Sequence, residues 1–150
     1  MLPFFVYGTL RPGEVNHDLF LRGRTRAERP AGMRGMALYD GPGYPYAVEQ
    51  AVEETGAGRG GGGAVIGELV IARTESYAEL LRALDELEDY APGDPANLYE
   101  RVERPAILDD GTVVRAWVYV AAPAVAAGLR AGGKLIEGGD WRGHRLPPFA

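Results

Sequence analysis

The stretch Ala64-Val65-Ile66-Gly67-Glu68-Leu69-Val70-Ile71-Ala72 is the strongest strand signal in a chain of 150 residues. It is rich in β-branched residues, whose side chains pack well on a pleated surface and favour an extended backbone. A run this apolar predicts a strand in the centre of a sheet. We therefore expect the fold to be organised around a β-sheet.

Shorter runs on both sides of this strand have a similar character and end at turn residues. They predict strands at residues 2–6, 34–39, 46–49, 101–108 and 112–120. The last two are joined by Asp109-Asp110-Gly111, which favours a tight hairpin turn. Successive strands that are connected by short turns are typical of a sheet that curls or closes into a barrel.

One segment has a clear helical pattern. Ser76-Tyr77-Ala78-Glu79 matches a capping box, and the pattern predicts a helix that continues to Tyr90 and stops at Pro92-Gly93. A short helix is predicted at residues 17–22, with Asn16 as its N-cap. Strands outnumber helices, so we expect an α+β fold: a mixed, curled or barrel-like β-sheet with one main helix and short flanking helices.

Other segments carry weaker signals. Residues 121–133 and the tail from Gly138 show no clear period, and no element is predicted there. A Gly-rich segment at 56–61 fits the dinucleotide-binding pattern G-x-G-x-x-G, but it follows Glu53-Glu54 and leads into a strand instead of a helix. We expect a surface loop at this segment, and a single domain over residues 1–150.

The composition excludes several kinds of binding site. The chain has no cysteine and two histidines, His17 and His144, so we expect neither a disulfide framework nor a metal site. A formal net charge of −5, with arginines scattered among acids, argues against nucleic-acid binding. The apolar runs are far shorter than the roughly 20 residues of a membrane span. We expect a cytoplasmic protein with a small-molecule partner, no membrane association, and a monomeric or homodimeric state.

The first predicted strand runs into Tyr7-Gly8-Thr9-Leu10, and Pro12-Gly13 soon afterwards forces a tight loop. Because Gly8 carries no side chain, the amide N–H groups of Gly8, Thr9 and Leu10 can approach an anionic or carbonyl oxygen of a ligand. The alternative is a turn or β-bulge that binds nothing. The loop by itself does not distinguish the two.

A carboxylate stands out on the predicted main helix. The stripe expected to face the core consists of Tyr77, Leu80, Leu84 and Leu87, flanked by Leu81. Glu88 falls inside this stripe. Since an ionised carboxylate is costly to bury without a partner, Glu88 is hydrogen-bonded, protonated or directed into a cleft. The alternative is a frayed last turn in which Glu88 reaches water or pairs with Arg101.

Three motifs, in this order, resemble the γ-glutamylcyclotransferase-like family, which includes γ-glutamylamine cyclotransferases and plant AIG2-like proteins. They are Tyr7-Gly8-Thr9-Leu10 on the first strand, Leu84-Asp85-Glu86-Leu87-Glu88-Asp89-Tyr90 on the helix and Leu98-Tyr99-Glu100-Arg101 on the following strand. The start of the chain is most similar to the γ-glutamylamine cyclotransferase branch, because Gly13 and Asn16-His17 follow the first motif. The resemblance covers most of residues 4–120.

The resemblance implies a role for each matching residue. Those that match the family's substrate-binding positions are Tyr7, Gly8, Thr9, Leu10, Tyr99 and Tyr119. Glu88 matches the catalytic acid/base, and Asp85 becomes a structural residue of the helix. Asp89 stands where relatives commonly have a glycine.

The reaction that the resemblance implies is intramolecular and needs no cofactor or metal. The α-amine of a γ-glutamyl amine or γ-glutamyl amino acid attacks the γ-carbonyl, forms 5-oxoproline and expels the free amine. Glu88 would carry the proton between the two amines, and an apolar setting raises its pKa towards neutrality for this task. The Gly8 loop would hold either the substrate's carboxylate or the oxyanion. Two other hypotheses are a non-catalytic binding module for a γ-glutamyl or other carboxylated metabolite, and a hydrolase that releases glutamate.

Overall fold

The computed structural model describes residues 1–50 and 63–142. In these ranges the chain forms, in order, β1 (Phe4–Val6), α1 (His17–Leu21), β2 (Thr25–Arg34), β3 (Met36–Tyr39), β4 (Tyr46–Glu49), β5 (Ala64–Ala72), α2 (Tyr77–Leu87), β6 (Tyr99–Leu108), β7 (Val113–Ala121) and α3 (Pro123–Gly132). α1 is a five-residue π-helix, and short 3-10 turns lie at Thr74–Ser76 and Glu137–Gly139. The Gly-rich segment at 56–61 lies outside the described residues.

Five strands form a closed barrel in the order β1-β5-β2-β6-β7, and β3 and β4 form a separate antiparallel pair. The barrel closes through a parallel pairing of β1 with β7, in which Phe4 lies opposite Trp117. β5 lies between β1 and β2 and is antiparallel to both, so the strand predicted at residues 64–72 is confirmed. The predicted α+β fold with a barrel-like sheet is also confirmed.

The hairpin predicted from Asp109-Asp110-Gly111 is confirmed as the β6–β7 pair. Gly111 has a φ of 91°, a left-handed conformation that glycine adopts without steric cost. The register places Arg101 opposite Tyr119 and Tyr99 opposite Ala121. Both tyrosines therefore lie near the end of the hairpin that is remote from its turn.

The strands separate two hydrophobic clusters, because successive side chains of a strand point to opposite faces. Phe5 of β1 belongs to the cluster in the barrel interior, together with Leu69. Its neighbours Phe4 and Val6 belong to a second cluster, which helix α2 covers with Leu80 and Leu84. The predicted apolar stripe of α2 therefore faces the outside of the barrel near the end of β1.

Two features of the sheet were not predicted correctly. Strand β2 was not predicted, because its sequence carries no alternating apolar pattern. In the structure it pairs with β5 along most of its length. The strand predicted at residues 34–39 begins only at Met36, because Arg34 is the last residue of β2 and Gly35 turns the chain with a φ of 77°.

Asn16 and Ser76 directly precede the two helices, as predicted, but neither caps its helix. Asn16 and Ser76 have helical backbone angles and their side chains make no capping hydrogen bond, whereas an N-cap residue has an extended backbone. Residues 123–132, where no element was predicted, form helix α3. Within the described ranges, no helix is long and apolar enough to cross a membrane.

Candidate active site

The end of helix α2 determines where Glu88 lies. The amides of Asp89 and Tyr90 donate to the carbonyl oxygens of Glu86 and Asp85, at 3.0 and 2.8 Å. This is the hydrogen-bond pattern of a Schellman cap, and Asp89 has the left-handed φ, 55°, that the cap requires. Glu88 is therefore the C-cap residue, and the predicted continuation of the helix to Tyr90 is wrong.

Asp89→Gly is expected to raise the free energy of unfolding by about 1 kcal/mol, because a left-handed backbone costs about 1–2 kcal/mol for a residue with a Cβ. Urea denaturation measures the difference. Asp89→Ala, which keeps the Cβ, serves as the control and should not be more stable than the wild type. Equal stability of the glycine variant and the wild type would mean that the aspartate side chain offsets the strain.

Glu88 borders a cavity of about 400 Å³ between α2 and the outer face of the barrel near β1 and β7. Within the described residues its carboxylate has neither a hydrogen bond nor an ion pair. Burial raises the pKa of Glu88 to about 7, because the ionised form loses solvation. Its place at the negative end of the helix dipole acts in the same direction. Glu88 can therefore exchange a proton close to neutral pH.

Arg101, which the sequence offered as a partner for Glu88, pairs with Asp85 instead. Arg101 Nε lies 2.9 Å from Asp85 Oδ1, and the Tyr119 hydroxyl donates to the same oxygen at 2.6 Å. The guanidinium carbon of Arg101 also lies 4.3 Å from the centre of the Trp117 ring. The alternative in which Glu88 pairs with Arg101 is therefore wrong. Asp85 connects α2 to β6 and β7, and its carboxylate neutralises the positive charge of Arg101.

The loop after β1 is anchored to the barrel. Arg11 N donates to Gly8 O at 3.0 Å, which closes a tight turn. The buried Arg11 guanidinium contacts Glu68 of β5 at 2.9 Å and Asp140 at 2.8 Å. Charge-assisted hydrogen bonds of this kind hold the loop in one conformation.

The predicted amide donors of this loop lie at the cavity, since Gly8, Thr9 and Leu10 all border it. In the described ranges, no main-chain hydrogen bond outside the helices and strands uses one of these three amides as its donor. The space beside Gly8, however, is not open. A Cβ at this position would lie 2.8 Å from Pro45 Cδ, so the glycine allows the proline ring to pack on the loop.

Gly8→Ala is expected to lower the free energy of unfolding by about 1–3 kcal/mol, because the added Cβ displaces the Pro45 ring. The displacement also reaches the cavity wall, since Pro45 O accepts a hydrogen bond from the Tyr99 hydroxyl at 2.8 Å. Urea denaturation measures the effect. Gly128→Ala is the matched control, because a Cβ there meets no atom within 4 Å and alanine favours the helix. Wild-type stability of Gly8→Ala would show that the proline moves at no cost.

The three tyrosines singled out for the site give their hydroxyl hydrogens to protein acceptors. The acceptors are the carbonyl oxygens of Tyr119 and Pro45 and the carboxylate of Asp85, for Tyr7, Tyr99 and Tyr119 respectively. Burial raises the pKa of all three hydroxyls, and the charge of Glu88 adds to the increase. The hydroxyls therefore stay neutral. The Tyr7 oxygen accepts a hydrogen bond from the amide of Ala47 at 3.3 Å, whereas those of Tyr99 and Tyr119 can accept from a bound molecule.

One cavity brings together every residue that the sequence singled out: Tyr7, Gly8, Thr9, Leu10, Glu88, Tyr99 and Tyr119. It also includes residues that sequence reasoning missed, namely Asn16, Tyr44, Pro45 and Trp117. The sequence carries a signal for Asn16, because the Asn16-His17 pair is part of the family resemblance. Local patterns carried no signal for Tyr44 and Pro45, which reach the cavity through tertiary contacts.

Comparison with known proteins identifies the family of this chain. A family model described as "Gamma-glutamyl cyclotransferase, AIG2-like" matches residues 4–143. The gamma-L-glutamyl-butirosin B gamma-glutamyl cyclotransferase of Niallia circulans is 36% identical over 118 residues, 77% of this chain and 64% of that protein. A Halalkalibacterium halodurans protein with a provisional gamma-glutamylcyclotransferase name is 42% identical over 105 residues, 69% of this chain and 76% of its own.

The fold is also shared with a solved structure. An AIG2-like protein of Mus musculus aligns with a TM-score of 0.57 over 99% of this chain and 96% of the mouse chain, at 24% sequence identity. This likeness concerns the fold, whereas the family model covers the first strand, helix α2 and the β6–β7 hairpin in one match. The chain belongs to the gamma-glutamyl cyclotransferase, AIG2-like family.

Proposed function

We propose that this protein is a γ-glutamyl cyclotransferase that converts a γ-glutamyl amine or γ-glutamyl amino acid into 5-oxoproline and a free amine, with Glu88 as general acid and base. One observation carries the proposal. A carboxylate without a counter-charge, whose pKa burial raises to about 7, borders the same cavity as the amides of Gly8, Thr9 and Leu10. The family to which the chain belongs supports this class of reaction.

The proton transfers balance with one carboxylate. Ionised Glu88 takes a proton from the α-ammonium group, and the free α-nitrogen attacks the γ-carbonyl carbon to form the ring bond. Protonated Glu88 then gives this proton to the nitrogen of the leaving amine, and the bond between that nitrogen and the γ-carbon breaks. The ring nitrogen loses its second proton, which the released amine takes up, and Glu88 is ionised again.

The distribution of donors and acceptors limits how the substrate can be oriented. Tyr99 and Tyr119 offer hydroxyl oxygens as acceptors, and Glu88 accepts when it is ionised. These groups suit the α-ammonium group of a γ-glutamyl compound. The amides of the Gly8 loop are donors, so they suit its α-carboxylate or the oxyanion that forms on the γ-carbonyl oxygen.

Product analysis tests the proposed function. The purified protein is incubated with a panel of γ-glutamyl compounds that includes alkylamine, diamine and amino-acid conjugates and γ-L-glutamyl-butirosin B, and the products are identified by mass spectrometry. Release of 5-oxoproline together with the free amine supports the cyclotransferase. Free glutamate indicates a hydrolase. Calorimetric binding of a panel member without any product indicates a binding module.

The rate of cyclisation is expected to rise with pH through about pH 7, because Glu88 must be ionised to accept the ammonium proton and burial raises its pKa to about 7. An unperturbed carboxyl group, with a pKa near 4.5, would instead give a flat rate across this range. Measurement of kcat/KM from about pH 5 to pH 9 locates the midpoint. A midpoint below about pH 5.5 would contradict the role of a buried Glu88.

A further inference from the structure

Asn16 lies at the start of α1 and borders the cavity that contains Glu88. Its side chain does not cap the helix; Nδ2 donates a hydrogen bond to Thr9 Oγ1 at 2.9 Å. The side chain therefore connects α1 to the loop whose amides border the cavity. The proton transfers described above make no use of this contact.

The contact determines where the Thr9 hydroxyl can donate. An amide nitrogen is only a donor, so Thr9 Oγ1 is the acceptor in this pair and keeps its own hydrogen for another partner. Within the part of the chain that the structure describes, no atom accepts a hydrogen bond from Thr9 Oγ1. The hydroxyls of Tyr7, Tyr99 and Tyr119 differ, because each gives its hydrogen to the protein. Thr9 thus has a hydroxyl hydrogen available to an oxygen of a bound molecule.

The segments that carry Asn16 and Thr9 are both anchored to the barrel. On one side, His17 Nε2 lies 2.8 Å from Glu28 Oε2 and ties the start of α1 to β2. On the other side, the buried Arg11 holds the loop against β5 and Asp140. The two partners therefore keep their relative positions, and a donor that is held in this way needs little reorganisation when a substrate binds.

We propose that Asn16 is a positioning residue for the cyclisation and acts through the Thr9 hydroxyl. By occupying a lone pair of Thr9 Oγ1, it directs the hydroxyl hydrogen towards an oxygen of the γ-glutamyl group, beside the loop amides. The inference rests on the proposed cyclotransferase function. A contact to the α-carboxylate would act mainly on KM, and a contact to the γ-carbonyl oxygen would act mainly on kcat.

A double-mutant cycle tests the inference. Thr9→Val removes the hydroxyl and is expected to lower kcat/KM about 100-fold. Asn16→Leu removes the orienting donor and is expected to lower it about 10-fold, which corresponds to one neutral hydrogen bond. In the Thr9→Val background, Asn16→Leu should have no further effect, whereas in the Thr9→Ser background, which keeps the hydroxyl, the loss of about 10-fold should return. Independent, multiplicative losses in the Thr9→Val background would overturn the proposal.

Two further measurements separate this inference from general effects. Asp18→Leu, an exposed position on the same helix, should leave kcat/KM unchanged, and circular dichroism shows whether each variant is folded. If Asn16→Leu is poorly folded, Asn16→Asp replaces it, since a carboxylate accepts the Thr9 hydrogen and withdraws it from the cavity. If the wild type binds a γ-glutamyl compound without turnover, the proposed function fails, and the same cycle is measured on calorimetric affinity. Unchanged affinity in Asn16→Leu would then overturn the role of Asn16.

Discussion

Glu88→Gln is expected to lower the rate of 5-oxoproline formation about 10²- to 10⁴-fold. Glutamine has nearly the same shape as glutamate, but it can neither take the proton from the α-ammonium group nor return one to the leaving amine. Because the folded protein keeps Glu88 protonated below a pKa of about 7, the neutral amide fits the same environment. Initial rates with a substrate from the γ-glutamyl panel measure the loss, and calorimetry shows whether the substrate still binds.

Glu86→Gln is the matched control, because it is the same substitution at an exposed position of the same helix. It should retain the wild-type rate, because its carboxylate does not border the cavity that contains Glu88. A folded Glu88→Gln protein that cyclises γ-glutamyl compounds at nearly the wild-type rate would show that the acid/base is another residue. A loss of equal size in Glu86→Gln would point to a general electrostatic effect.

Glu88→Gln should also stabilise the protein at alkaline pH. The pKa of Glu88 rises from 4.5 to about 7 on folding, so between these values the folded chain binds a proton that the unfolded chain releases. The free energy of unfolding therefore falls as pH rises through this window, by up to about 3 kcal/mol. Urea denaturation at about pH 4 and pH 8 should show the variant gaining stability relative to the wild type. An equal pH dependence in both proteins would contradict the buried, unpaired state of Glu88.

Leu84→Ala is expected to lower the free energy of unfolding by about 2–5 kcal/mol. Leu84 lies one helical turn before Glu88, is 0% exposed, and packs in the cluster between α2 and the barrel. Truncation removes buried apolar surface and leaves a space that the surrounding strands fill only in part. Chemical denaturation measures the loss.

The same substitution should change the chemistry of Glu88. Leu84 borders the cavity, so its truncation admits water beside the carboxylate and reduces the desolvation that raises the pKa of Glu88. The midpoint of the pH–rate profile should therefore move below about pH 7. Leu84→Met, which conserves volume, serves as the control and should cost less than about 1.5 kcal/mol. A loss below about 1 kcal/mol in Leu84→Ala would mean that the helix does not depend on this contact.

Strands could be predicted where local composition favours them, and β2 shows where this fails. Residues 64–72 are apolar enough to be recognised alone, whereas β2 carries charged residues and a proline and is mostly half-exposed. Its extended conformation is stabilised by pairing with β5 from Thr25 to Arg34. Such long-range pairing outweighs local propensity, and the sequence of the strand itself does not record it.

The candidate carboxylate could be recognised from helical periodicity, but its lack of a partner could not. Asp85 and Glu88 lie three residues apart on the helix, and residues at that spacing are neighbours on its surface. Arg101 was therefore a possible partner for either one. The β6–β7 register and the Tyr119 hydroxyl bring Arg101 to Asp85, and Glu88 keeps a raised pKa as a result.

By itself, the sequence determined the barrel-like α+β fold, the position of the loop after β1 and the presence of a carboxylate in an apolar stripe. These features depend on local backbone preferences and on the period of a helix, which neighbouring residues encode. Only the tertiary structure decided that Asp85 pairs with Arg101, that Pro45 fills the space beside Gly8 and that Asn16 contacts Thr9. Each of these outcomes depends on which side chains come into contact when the barrel closes, and local sequence patterns do not specify those long-range contacts.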